Sequence, residues 1–281
     1  VEHHHAAAVD LKTVDYSDLD LWKPVDDEIP AIGNLTGSNA VATGGMVVLN
    51  LVDSDAAAWI DSAVLTAGSV TVTASQESTI RAELDAQVES SGGSNLGAGT
   101  SLAVNGAIAM NLVLGSASAE IRAGTVTATA GGITVEAANS AVIEAVNRSV
   151  TLAGETAVGV SLAFNTVGYR PGNLLFSGVD ALIGTALQRA DAAQATARVL
   201  DSVLAAAGAV VVSATNTASI DAELSTDATS AASALLGANG LAASALLASN
   251  RVAGGALAEI DGTAVTTSAS GDLTLPADDH A

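Results

Sequence analysis

Four stretches of the chain are variants of one another: SVTVTASQESTIRAEL, GITVEAANSAVIEAV, AVVVSATNTASIDAEL and, in short form, DLTLPA. Gly68, Gly131, Gly208 and Gly271 open them, at spacings of 63, 77 and 63 residues. Behind each glycine two apolar residues alternate with polar ones: Val70 and Val72, Ile133 and Val135, Val210 and Val212, Leu273 and Leu275. A third anchor follows at Ile80, Ile143 and Ile220. Period-two alternation in Val, Ile and Thr specifies strands rather than helices. A supersecondary unit repeated in tandem cannot bury its apolar face alone and must stack on its neighbours. The expectation is therefore an all-β, elongated β-solenoid, a parallel β-helix, with internal repeats of about 63 residues.

Composition fits thin stacked layers. The sequence is 49% hydrophobic and 14% charged, with only six aromatic residues in 281. Ala, Val, Leu and Ile supply the apolar content, whereas compact enzyme cores lean on aromatic volume. A 63-residue unit divides into three coils of roughly 21 residues, which at about 4.8 Å per coil predicts a rod on the order of 60 Å long. The repeated glycines are expected at turns that need positive φ, with Gly131-Gly132 or Gly254-Gly255 at corners.

Residues 1–32 form a separate acidic N-terminal segment, and repeats fill 33–281. The units run roughly over 40–99, 100–155, 156–230 and 231–281. The third carries an extra 14 residues between Asn165 and Leu200. Leu175, Val179, Leu182, Ile183 and Ala186 recur there at helical spacing, which predicts a helical insertion over 168–193. Tyr169, Leu175, Phe176 and Val179 are its candidate partner-binding residues. Each unit also opens on a long apolar segment containing an asparagine: Asn50, Asn111, Asn165 and Asn250. Such amides suit polar ladders inside the coil. With three coils per unit, however, these four would sit three coils apart and could not stack directly.

The net charge of −21 excludes nucleic acid and disfavours anionic membrane surfaces, since phosphate binding needs clustered Lys and Arg. Its uses are solubility for an apolar surface or attraction of calcium outside the cell, the candidate metal here. The chain has no cysteine, which leans towards a bacterial surface protein over a disulfide-rich secreted module. It starts at Val1 and stops inside the fourth repeat, so a piece of something longer is expected. The uncharged runs 92–119 and 228–250 are broken by Gly, Ser and Asn and read as buried strands, not membrane spans.

Two features carry a resemblance. The tandem unit of V-x-V and I-x-A-x-L strands between glycine turns covers about residues 40–275, and Tyr16-Ser17-Asp18-Leu19-Asp20-Leu21-Trp22-Lys23 forms the phrase YSDLDLWK. Together they resemble the repeat regions of giant bacterial surface proteins, the filamentous-haemagglutinin-like and RTX-associated adhesins. The resemblance implies export to the cell surface, a β-helical stalk, and adhesion, aggregation or surface coating. The glycine-aspartate nonapeptide that binds calcium in RTX proteins does not occur in this sequence, so that metal mechanism does not carry over.

Chemical motifs are sparse. His3-His4-His5 cannot converge easily on one zinc, because strand neighbours point to opposite faces, and it reads as a tag remnant or a plain solvated tail. Asp15, Asp18 and Asp20, and Asp53 with Asp55, are acidic groups that could attract calcium, though without the spacing of an EF-hand loop. Histidines sit only at the two ends, which excludes a Ser-His-Asp set, and no glycine-rich phosphate loop carries its lysine. Arginines are dispersed and sugar platforms missing, against a polysaccharide-active β-helix. The sequence thus points to a non-enzymatic structural or adhesive segment of an extracellular filament or surface protein. It would self-associate through strand edges at the rod ends. The alternatives are a calcium-stabilised adhesin module that binds a partner or glycan and, more remotely, a polysaccharide-active enzyme.

Overall fold

The structure is a computed structural model that describes residues 2–3, 22–23, 39–92, 100–170, 192–231, 239–268 and 270–280. Strands account for every element, and no helix occurs among the described residues. The insertion expected over 168–193 lies almost wholly outside them, so Leu175, Phe176 and Val179 do too. The same holds for Asp15, Asp18 and Asp20.

Apart from an antiparallel ribbon of β1 (Glu2–His3) and β2 (Trp22–Lys23), the chain winds in layers. The first layer is β3 (Ala40–Asp61), β4 (Val64–Ala67) and β5 (Val70–Ser90). The second repeats the plan with β6 (Ser101–Arg122), β7 (Thr125–Ala128) and β8 (Ile133–Ala153). In the third, β9 (Thr156–Val167) and β10 (Ala193–Leu200) share one side, followed by β11 (Val203–Ala206) and β12 (Val210–Ser230). The fourth comprises β13 (Leu241–Val252), β14 (Gly254–Asp261), β15 (Ala264–Thr267), β16 (Leu273–Thr274) and β17 (Ala277–His280).

Equivalent strands pair in parallel, giving three sheets. The first long sheet stacks β3, β6, β9 with β10, and β13 with β14. The short sheet stacks β4, β7, β11 and β15. The second long sheet stacks β5, β8, β12, and β16 with β17. The two long sheets face each other and the short one closes one end, a β-helix-like arrangement.

The register overturns the three-coil division. Val70 pairs with Ile133 and Ala40 with Ser101, so one circuit of the helix consumes a whole unit rather than a third of one. Long strands of 21 and 22 residues run unbroken where turns were expected. At about 3.3 Å per residue they reach about 70 Å, whereas four layers span only about 14 Å from first to last. The long dimension therefore lies along the strands, across the predicted rod axis.

The extra length of the third unit also resolves differently. Leu102 pairs with Thr156, 54 positions on, because residues 154–155 make a short return between β8 and β9. Past the insertion, Gln194 pairs with Ser116, 78 positions back. β9 ends opposite Val113 and β10 resumes beside Ser116, so residues 168–192 are spliced into one strand of the first long sheet. The apparent excess of 14 is a 24-residue insertion partly offset by that shorter return.

Corner chemistry departs from expectation as well. Gly68, Gly131, Gly208 and Gly271 do not have positive φ. Close stacking accounts for glycine in the later layers, where a Cβ on Gly208 would fall 3.0 Å from the backbone of Gly131 and one on Gly271 2.5 Å from the Gly208 carbonyl oxygen, whereas one on Gly68 would meet nothing within 4 Å. The left-handed column lies at the other corner, where Ser62, Ala123, Asp201 and Gly262 have φ of 51, 50, 47 and 57°. The N–H groups of Ser62, Ala123 and Asp201 each bond a carbonyl of the following layer, at 2.9–3.0 Å. That ladder holds non-glycine residues where they otherwise cost about 1–2 kcal/mol each. Gly254-Gly255, expected at a corner, opens β14 instead.

Candidate functional site

Alternation assigns one face of each long strand to the interior. On β8 every odd residue from Ile133 to Ala153 is buried. Near the short sheet these are Val, Ile and Leu: Ile121, Val126, Ile133, Val135, Val199, Leu204, Val210 and Val212 form one cluster. Farther along, Ile80, Val113, Ile143, Val167 and Leu84 still point inwards, but Ala, Ser, Thr and Asn take a growing share, down to Ala103, Ala153 and Ala157 in the last cluster. Two sheets that approach without a third between them leave less room for large side chains.

Polar columns run through this thin interior. Because one circuit equals one unit, Asn50, Asn111, Asn165 and Asn250 are register partners and stack directly, contrary to the sequence expectation. Each Nδ2 donates to the Oδ1 of the next asparagine at 2.8 Å, from Asn50 to Asn111, Asn111 to Asn165 and Asn165 to Asn250. Asn111 and Asn165 are fully buried, so the ladder removes the penalty of burying two amides. All its donors point from the first layer towards the fourth.

A second ladder has no counterpart among the sequence expectations. Asn139 donates to Asn216 at 2.8 Å, and Asn216 donates to Asp279 Oδ1 at 2.7 Å. Gln76 stands in register in the first layer and donates to Ser54 and Ser78. Gln76, Asn139 and Asn216 occupy the same position of the V-x-V segments, which is the signal the sequence offers. Small residues face this column: a Cβ on Gly254 would lie 2.5 Å from Asn216 Nδ2. Asn105 makes a third polar node, donating to the Ala86 and Val150 carbonyls and to Ser149.

A cavity of about 180 Å³ runs beside the first ladder, lined by Asn50, Asn111, Asn165, Asn147, Ala109 and Ala163 among others. Asn147 is 2% exposed, and its Oδ1 has no partner among the described residues. Asparagine amides share its lining with a larger apolar part that includes Val48 and Leu84, and it has room for several waters.

Other expected site residues are dispersed. Asp55 is occupied within the fold, accepting from the Ser116 N–H at 2.9 Å and hydroxyl at 2.7 Å. Among the described residues no group of three or more His, Asp or Glu side chains is placed to hold a metal, so Asp53 and Asp55 are not gathered into one. Tyr169, at the exit of β9, lies 4.4 Å below the Arg251 guanidinium, a cation–π contact between the third and fourth layers. Ion pairs cross the layers at Arg122–Asp61 (3.0 Å), Arg81–Glu144 (2.9 Å), Arg148–Glu83 (3.3 Å) and Arg198–Glu259 (3.0 Å). All are largely exposed and individually weak. The hydrogen bond from Arg122, then that from Ser62, holds the Asp61 carboxyl below the ordinary carboxylate range.

Taken by layer, the surfaces that remain chemically open are strand edges. β3, β4 and β5 pair on one side only among the described residues. At the opposite end β13, β14 and β15 do likewise, and Ala218–Ser230 of β12 lies beyond the reach of β16 and β17. No helix among the described residues is long and apolar enough to cross a membrane. No protein family, no curated protein and no solved structure matches this chain.

Proposed function

We propose that this chain is a non-enzymatic structural segment, a β-solenoid with a repeat of about 63 residues, in an extracellular surface or filament protein of bacterial type. Its work is mechanical and associative. Parallel backbone ladders tie the layers together, the amide ladders hold the register, and acidic outer residues keep the assembly soluble. The carrying observation is the pair of open ends, each a row of N–H and C=O groups in three sheets without a strand partner among the described residues. Such edges template further strands, from the same chain or another copy.

Both amide ladders support head-to-tail joining. Asn250 ends the first ladder as an acceptor whose amide nitrogen is not used in it, and Asn50 begins it as a donor whose Oδ1 is not used in it, among the described residues. A following layer that offers an acceptor above Asn250 prolongs the same chain of bonds. Electron microscopy of the purified chain, with calcium and with chelator, tests the reading. Fibres with strands perpendicular to the fibre axis are the expected result. Isolated particles at every concentration would remove end-to-end joining, and fibres only with calcium would move the metal into the mechanism.

A further inference from the structure

We infer that the outer face of the first long sheet is a lateral docking surface for a second copy of this chain, a contact independent of the joining at the ends. Outward-facing residues there stack into uncharged columns. From the first layer to the fourth they read Val41, Leu102, Thr156, Leu241; then Thr43, Val104, Val158, Ala243; then Gly45, Gly106, Val160, Ala245; then Val47, Ile108, Leu162, Leu247. Val41 and Val47 are 68% exposed and Leu241 59%. The panel ends beside Leu49 and Met110, where Leu112, Leu114 and Phe164 are already buried. The outer face of the second long sheet is its opposite, with Glu77, Arg81, Glu83, Asp85 and Glu89 along β5 alone.

Size and charge select the occupant. Nine residues by four strands make a flat panel of about 30 by 19 Å, close to 600 Å². Two such panels face to face bury about 1,200 Å² in total, the lower bound for a stable specific interface. A twofold contact also sends both acidic sheets outwards, so a chain of net charge −21 meets itself where it carries no charge. An anionic membrane gains nothing from this arrangement, and a glycan would want exposed aromatic platforms that the panel lacks. Shape agrees: a Cβ on Gly106 would touch nothing within 4 Å, so the Gly45–Gly106 column is an open groove beside the Val47–Ile108 ridge. In a twofold pair each ridge enters the other copy's groove.

Sedimentation equilibrium of the full chain over a range of concentrations tests this, alongside Val47→Lys, Ile108→Lys and the opposite-face control Thr73→Lys. Expected is a dimer for the parent and for T73K, with the dimer dissociation constant of V47K raised roughly tenfold or more by a charge buried at the contact. Circular dichroism melts confirm that each variant folds. Because the chain has no cysteine, Val47→Cys provides a second readout: maleimide labelling fast in dilute solution and slow in concentrated solution. A parent that is monomeric throughout, or dimers and fibres untouched by V47K and I108K, overturns the proposal. So does binding of neutral phosphatidylcholine vesicles that V47K abolishes while the parent stays monomeric, since the panel would then serve a lipid surface. Fibres without lateral dimers would sink this inference and leave end-to-end joining standing; lateral dimers without fibres would do the reverse.

Discussion

The two ends of the interior are built on different principles. Beside the short sheet, three sheets converge and Val, Ile and Leu fill the junction, with Ile121, Ile133, Val135, Leu204 and Val212 fully buried. Farther along, only two sheets face each other, and Ala, Ser, Thr and Asn share the inward columns with fewer branched residues, Ile80, Val113, Ile143, Val167 and Leu84. Unpartnered buried hydroxyls and an amide oxygen (Thr151, Ser161, Thr226 and Asn147) belong to this second stretch. Width explains the contrast. A junction of three sheets leaves more volume for branched side chains than a two-sheet gap does. Stability is thereby concentrated at one end, and the other end is held mainly by backbone ladders and amide columns. Local opening is expected to start in the thin stretch, at the free ends of β5, β8 and β12.

Substitutions at matched depth can break that comparison. Ile121→Ala, in the three-sheet junction, should lower unfolding free energy by about 2–5 kcal/mol in urea or thermal melts. Asn111→Ala removes a donor from Asn165 and an acceptor from Asn50 in one step, and about 2–3 kcal/mol should be lost. A loss near zero there would mean that the ladder contributes register but no stability. Thr151→Val replaces a fully buried hydroxyl without a partner by an isosteric methyl, so a gain of about 1 kcal/mol is expected. If it destabilises as much as Ile121→Ala, the thin stretch is as tightly specified as the junction and the contrast fails.

The smallest expected effect is on the surface. The Asp61 carboxyl is held below its ordinary value, so its contribution is present above the unfolded value near 3.8 and is lost as pH falls through the folded one. Asp61→Asn should therefore remove that small contribution at neutral pH, leave stability below both values unchanged, and so flatten the acid limb of the profile. A large loss at neutral pH would show that the Asp61–Arg122 contact matters more than an exposed pair should.

Much of the site is legible in the amino-acid pattern. Strand type, the inward columns at Val70, Ile133 and Val210, and the four asparagines within apolar runs are all visible there. The Gln76–Asn139–Asn216–Asp279 column is equally present but not recognisable, because amides inside a Ser/Thr-rich strand look like solvent-facing residues until a neighbour is placed above them. Tyr169 reads as a partner-binding residue from its sequence surroundings, and the contact of its ring with Arg251 of the next layer is one that only the fold reveals.

What the sequence by itself determined is the local character of each segment: period-two strands, which residues share a face, and that equivalent residues recur once per unit. Alternation is indifferent to where a strand ends, since a short strand and one of 21 residues carry the same two-residue pattern. Only tertiary closure decided that a circuit consumes the whole unit, through turns at Ser62 and Ser69 and a return after Ser90. That choice turned four distant asparagines into one continuous ladder, because parallel pairing brings together residues separated by the length of a circuit, a distance that no local pattern encodes.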